Sequence, residues 1–251
     1  MPEWLQAGGW GLLAGFALVL GALVGYVVRM PQRLIASVMA FGAGVLMSAV
    51  SFELIDEAHE RAGLVPTVVG AVSGAVLYTV CNVLLARRGA RHRKRSGGRQ
   101  SSEQEQEGSG TAIALGAVLD GVPESLVIGA SLLGGGAVST VTVAAVFISN
   151  VPEGLSSAAG MRRAGRSKAY VFGLWSGIAV VSGLSSLAGY ALLGQAPAAV
   201  LAGIIALAGG AILTMIADTM IPEAFENAHL MTGLITLGGF LLAFAVSKAG
   251  G

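Results

Sequence analysis

The chain has 251 residues, of which 54% are apolar, 12% are charged and 38 are glycine, with a formal net charge of +1. One soluble core of this length could not hide so much apolar surface, so an ordinary soluble enzyme is excluded and lipid is the expected solvent for the surplus. Cys81 is the single cysteine, which excludes an intrachain disulfide framework.

Apolar runs of about the length that spans a bilayer follow one another along the chain. They fall at 8–28, 34–55, 64–86, 111–133, 138–161, 169–193, 198–220 and 231–248. These are read as helices one to eight of an all-α integral membrane protein forming a single domain over 1–251. The first run follows MPEWLQ, without a basic leader or a small-residue cleavage site, and is read as a retained helix. Connections are short and turn-like, as at Met30-Pro31-Gln32, Gly134-Gly135-Gly136 and Gln195-Ala196-Pro197. The exception is 87–110, polar, basic and then acidic, which is expected to be a disordered cytoplasmic loop.

Basic residues fix the expected orientation. Arg29, Arg33, Arg87, Arg88, Arg91, Arg93, Lys94, Arg95, Arg99, Arg162, Arg163, Arg166 and Lys168 fall on one side of an eight-span arrangement. Only Arg61 and Lys248 fall opposite, so the positive-inside rule places both termini outside. The basic run from 87 to 99 is read as a topology determinant beside a helix end, not as a nucleic-acid site.

Helix two, GVLMSAVSFELIDEAHE from Gly44, aligns without a gap with helix seven, GAILTMIADTMIPEAFE from Gly210, at an offset of 166 residues. The two would run in opposite directions, which is the signature of an inverted repeat, here helices one to three and six to eight around a central pair. Helix two ends in Glu53, Asp56, Glu57, His59 and Glu60, read as an acidic outer vestibule. Helix seven ends in Asp218, Glu223, Glu226 and His229, read as an inner one. Acidic mouths raise the local concentration of cations.

The central pair carries the chemistry. Helix four contains LDGVPESL with Asp120 and Glu124, and helix five contains SNVPEGL with Ser149, Asn150 and Glu153. Each pair four apart shares a helix face, so the residues can converge on one point between the helices. Carboxylates at that depth are costly unless partnered, and ordinarily face a polar cavity and mark an ion path. No basic residue lies within the centre of any span. Their expected partner is therefore a cation or a proton. Pro123 and Pro152, each just before its glutamate, are expected to kink their helices and free the carbonyls of Leu119 and Ile148.

At these residues the chain resembles the ZIP family, the zinc- and iron-regulated transporter-like proteins. The resemblance covers the whole chain and is most specific in Pro123-Glu124-Ser125 and Pro152-Glu153-Gly154. It implies eight spans, termini outside and a midmembrane metal site in which Glu124 and Glu153 stand for the family's two glutamate ligands. Asp120 stands where histidine is usual and Gly121 where asparagine is. Ser149 and Asn150 occupy positions where His or Gln and then Asp or Glu are commoner. Met47 on helix two is a further candidate ligand by the same resemblance, against the simpler reading of core packing. Ile178 to Val181 are all apolar, where some relatives carry another glutamate, which argues against a two-metal centre.

The resulting expectation is transport of a divalent metal ion as substrate, with no resident cofactor. Zinc is the family's usual cargo, with iron, manganese and cadmium as other candidates. All-oxygen ligation favours harder ions, whereas imidazole favours zinc. The alternative is a membrane protein that binds or senses a metal without transporting it. An enzyme is not expected, because no spanning helix carries a paired histidine motif. Short loops suggest a bacterial inner membrane, and small-residue spacings at Gly11/Gly15, Gly21/Gly25 and Gly173/Gly177 allow close helix contacts, including those of a homodimer.

Overall fold

The computed structural model describes residues 2–134 and 139–249. Within these residues the chain is helical and has no strand. The second and third glycines of the Gly134–Gly136 turn, and the first residue of the fifth apolar run, lie outside the described residues.

The helices are α1 (Glu3–Val27), α2 (Gln32–Ala49), α3 (Asp56–Ala62), α4 (Leu64–Leu85), α5 (Ser109–Ala130), α6 (Thr140–Arg163), α7 (Lys168–Leu193), α8 (Ala198–Met215), α9 (Ile221–Ala228) and α10 (Thr232–Ala249). Two π-helical turns, Val50–Ile55 and Ile216–Met220, extend α2 and α8, whereas the chain beyond α4 kinks out of helical geometry at Arg88 and at Gly89, whose φ is 99°. Gly63 reverses the chain between α3 and α4 with φ 78°, a conformation open to glycine because it has no Cβ.

Among the described residues, six helical stretches are long and apolar enough to cross a membrane. They are Glu3–Val27, Gln32–Ala62, Leu64–Ala90, Ser109–Leu133, Lys168–Leu193 and Ala198–Ala249. The last is broken at His229, whose φ of 46° turns the chain. Beyond it α10 returns along α2, with Ser247 donating to Glu53 at 2.6 Å. The exterior fits a lipid solvent: Val68, Val69, Val72, Val76, Leu77 and Val80 on α4 and Leu234, Leu237, Leu241 and Leu242 on α10 are exposed.

The interior is built from small residues, which let helix backbones touch where lipid removes the hydrophobic drive for association. Alanines 36, 40 and 43 on α2 and 202, 206, 208 and 211 on α8 are all buried. Gly44 lies against the backbone of Thr236 and Phe240 on α10, and Gly210 lies against Ala71 on α4. Gly74 meets Leu207, and Gly239 meets Phe41. Gly21 and Gly25 of α1 press on Val151 and Leu155 of α6, and Gly11 and Gly15 press on Ser186 and Ser182 of α7. A Cβ on Gly173 or Gly177 would meet nothing within 4 Å outside its own helix.

Pro123 and Pro152 both sit inside continuous α-helices, α5 and α6. Pro152 also has a packing role, since Gly42 of α2 lies against its ring and a Cβ there would come 2.7 Å from Cγ.

The largest departure from expectation is the connection between α4 and α5. Residues 87–110, expected to be disordered, fold back into one end of the bundle. Arg93, Lys94, Ser96, Gln100 and Ser109 are all buried. A polar, charged composition argues for disorder only when its charges lack partners, and here the partners lie inside the bundle. Gly116 of α5 and Gly160 of α6 leave room for the loop. A Cβ on Gly116 would come 2.8 Å from Arg93 Nε, and one on Gly160 would overlap the Arg95 carbonyl.

The outer part of the loop is tied to the turn between α6 and α7. Arg166 Nη1 donates to Glu103 at 2.7 Å and Arg166 Nη2 to Ser109 Oγ at 2.6 Å. The Arg166 hydrogen bond, joined by the backbone N–H groups of Gly110 and Gly108, pulls the Glu103 carboxyl down from 4.5 to about 2. A carboxyl held low stabilises the folded form above its ordinary range and loses that effect as pH falls through the folded value. The latch is therefore expected to weaken as pH drops from about 4.5 towards 2. Amide hydrogen exchange over 101–110 checks this. It should accelerate across that window in the native chain, beyond any change in Glu103→Gln, and equal profiles would remove Glu103 from the latch.

Candidate cation site at the centre of the bundle

Asp120 and Glu124 on α5 and Glu153 on α6 are 2%, 2% and 4% exposed. Four-residue spacing puts Asp120 and Glu124 on one face of α5, and α6 presents Glu153 towards the same interior. The absence of a basic partner, expected from the centres of the spans, does not hold in three dimensions. Two cations reach the carboxylates from the folded loop.

Arg93 is the more tightly held. Its Nε donates to Asp120 Oδ2 at 2.9 Å and its Nη2 to Asp120 Oδ1 at 2.8 Å, a bidentate pair. Nη2 also donates to the Tyr78 hydroxyl and Nη1 to Asn82 Oδ1, both at 2.8 Å. Tyr78 in turn donates to Asp120 Oδ1 at 2.6 Å. Lys94 bridges the two central helices: its Nζ donates to Glu153 Oε2 at 2.8 Å and lies 3.4 Å from Asp120 Oδ2. Both cations are 3% exposed. Between Arg93, Lys94, Asp120, Glu153, Ser157 and Trp175 no water-sized cavity remains. Glu124 stands apart, with its buried Oε1 lacking a hydrogen-bond partner.

Buried charges are tolerated only when paired and hydrogen-bonded, and the loop backbone is secured accordingly. Ser156 donates to the Lys94 carbonyl and Ser157 to the Arg93 carbonyl, both at 2.7 Å. Gln100 Nε2 donates to the carbonyls of Arg93 and Ser157. Glu223, fully buried, accepts from the Ser96 amide at 2.9 Å and from Ser96 Oγ at 2.7 Å, and lies 3.0 Å from Ser156 Oγ. Glu226 pairs with Arg95 and, at 2.6 Å, with Arg99.

The other sequence-predicted residues divide clearly. Ser149 donates to the Val146 carbonyl of its own helix, and Asn150 Nδ2 ties α6 to the Ala14 carbonyl of α1 at 2.9 Å. Met47 is half-buried and packs on the apolar core formed with α8. Glu53 accepts from Ser247 and Ser139, and Glu57 pairs with Arg61 at 2.7 Å, while Asp56, His59 and Glu60 are exposed. Of the inner set, Glu223 and Glu226 bind the loop, while Asp218 and His229 are exposed and take no part. Among the described residues, no three His, Cys, Asp or Glu side chains converge closely enough to hold a metal ion.

Tyr78, Asn82, Ser156, Ser157, Arg93 and Lys94 complete the polar cluster and were not among the residues expected there. Polar side chains at 78, 82, 156 and 157 within or beside apolar helices were the available signal. No family model and no curated protein sequence matches the chain.

Proposed function

We propose that the chain carries divalent metal cations across a membrane through a site formed by Asp120, Glu124 and Glu153. One observation carries the reading. Two buried carboxylates, Asp120 and Glu153, meet where the chain itself places two positive charges, Arg93 and Lys94, and a third, Glu124, is buried on the same face of α5 as Asp120. Two tethered monocations carry the same charge as one dication. When the loop withdraws, the carboxylates are left without counter-charge in a low-dielectric interior, where a dication is strongly attracted.

The reading includes eight crossings, with α8–α9 and α10 as separate passes and α6 as a further one beside the six apolar stretches. It also includes an inverted repeat. Gly44 on Thr236 mirrors Gly210 on Ala71, and Phe41 on Gly239 mirrors Leu207 on Gly74. The π-turns from Val50 and from Ile216 begin 166 residues apart, the same offset as the sequence alignment (216 minus 50). Repeats packed in this way support alternating access around a fixed central site. The metal is zinc by resemblance to ZIP proteins, with iron, manganese and cadmium as other cargoes, and the basic loop faces the cytoplasm of a bacterial inner membrane.

Uptake into proteoliposomes tests the proposal. With zinc, iron(II), manganese, cadmium and magnesium compared, the native chain should take up at least one ion. Glu153→Ala should lower that flux at least tenfold while remaining folded. No flux from folded, oriented native protein across pH and potential would sink transport. The alternative, a membrane protein that binds or senses metal without carrying it, is favoured by one observation, the many hydrogen bonds that hold Arg93 in place. In that case Glu153→Ala should lower thermal stability, with no native flux to lose.

A further inference from the structure

We infer that residues 91–100 form a tethered plug whose Lys94 ammonium and Arg93 guanidinium occupy the cation site, so that a metal ion and the loop compete for the same carboxylates. The inference rests on the proposed cation site and adds its regulation.

The geometry points to competition because the contested atoms are the ones a metal would need. Lys94 Nζ lies 2.8 Å from Glu153 Oε2 and 3.4 Å from Asp120 Oδ2, bridging α5 and α6 as a bound cation would. Arg93 takes both oxygens of Asp120. With these cations seated, neither carboxylate can close around a metal ion. The plug also blocks the way out, since its backbone lies between Ser156 and Ser157 of α6 and the buried Glu223 of α9. Glu223 and Glu226, which would receive a departing cation, are engaged by Ser96, Arg95 and Arg99.

The segment is also built to leave. Outside its two central cations it is held by hydrogen bonds and ion pairs, and Arg95 and Arg99 bind Glu226 at a partly exposed position. Gly97 and Gly98 sit beside the buried Ser96, and nothing lies within 4 Å of a Cβ on Gly98. A hydrophobic anchor, which would seat the segment irreversibly, is absent from the sequence Arg91-His92-Arg93-Lys94-Arg95-Ser96-Gly97-Gly98-Arg99-Gln100.

Hydrogen exchange and a reversible crosslink test the plug separately from transport. In nanodiscs, manganese or zinc should accelerate amide exchange over 91–100 at least tenfold, the Ser96 amide included, in the native chain and not in Glu153→Ala. Exchange unchanged at saturating metal overturns the plug, whether or not the protein transports. Ser96 Oγ and Ser156 Oγ lie 2.7 and 3.0 Å from the same Glu223 Oε1, so cysteines at the two positions face one oxygen, and an oxidative crosslink between them is the intended clamp. In a Cys81→Ser background, the oxidised double variant should carry less than a tenth of the flux of its reduced form. Equal flux in both forms overturns the plug and leaves transport standing. Metal-accelerated exchange without flux in any form keeps the plug and removes the transport reading.

Discussion

Asp120→Ala is expected to release the loop from the bundle. The substitution leaves the Arg93 guanidinium buried against Tyr78 and Asn82 with no carboxylate in direct contact, and leaves Lys94 with Glu153 alone. Removing one partner of a buried ion pair costs about 3–5 kcal/mol, because the stranded charge keeps its desolvation penalty. Arg93 belongs to a connection, so the chain can relieve that penalty by moving the loop into water without unfolding the helices. The loss should therefore appear first as loop opening. At about 1.4 kcal/mol per tenfold, the loop is expected to open more than a hundredfold more often. Limited trypsin digestion reads this directly, because the segment carries cleavage sites at Arg91, Arg93, Lys94, Arg95 and Arg99. Cleavage in Asp120→Ala should be at least a hundredfold faster than in the native chain, with little change in helix content. A compensating pair, Asp120→Leu with Arg93→Met, should recover part of the protection, since an apolar pair of similar volume avoids the buried charge altogether. Native-like cleavage in Asp120→Ala would show that Asp120 does not hold the loop.

Gly44→Ala and Gly210→Ala are expected to destabilise the bundle, and by similar amounts. A methyl at Gly44 would overlap the Thr236 carbonyl and stand 2.8 Å from the Phe240 amide nitrogen. A methyl at Gly210 would meet the Ala71 backbone in the same way. Backbone cannot rotate aside like a side chain, so each pair of helices must separate, costing about 1–3 kcal/mol or more. The opposing gain from replacing glycine in a helix is only about 0.5–1 kcal/mol. Gly173→Ala supplies the contrast, since nothing lies within 4 Å and the same propensity gain should stand alone. Denaturant unfolding in mixed micelles checks all three. Near-equal losses at Gly44 and Gly210 with none at Gly173 are expected, and a loss at only one of the first two would break the structural equivalence of the repeats.

The apolar runs were legible because lipid sets helix length and because glycine and proline mark the breaks. The helices from Leu64, Lys168 and Ala198 begin within a residue of their apolar runs. Helix two runs beyond its apolar stretch to Ala62 through a π-turn, carrying Asp56, Glu57, His59 and Glu60 on its last turns. Apolar periodicity cannot show the π-turn, because the extra residue it inserts leaves the composition unchanged.

The site was legible in part. Asp120, Glu124 and Glu153 stood out because ionisable residues are costly in apolar helices, and all three are buried. Their partners were not legible. A run such as Arg91-His92-Arg93-Lys94-Arg95 reads as solvated in one dimension, because sequence carries no record of which distant carboxylates a loop can reach. Lys94 and Glu153 are 59 residues apart, and Arg95 and Glu226 are 131 apart. The sequence by itself determined a chain of lipid-length helices with carboxylates at its centre, since residue chemistry and local spacing suffice for both. Only the tertiary structure decided that the chain's own cations meet those carboxylates, because a buried ion pair forms where folding places opposite charges together and excludes water from between them.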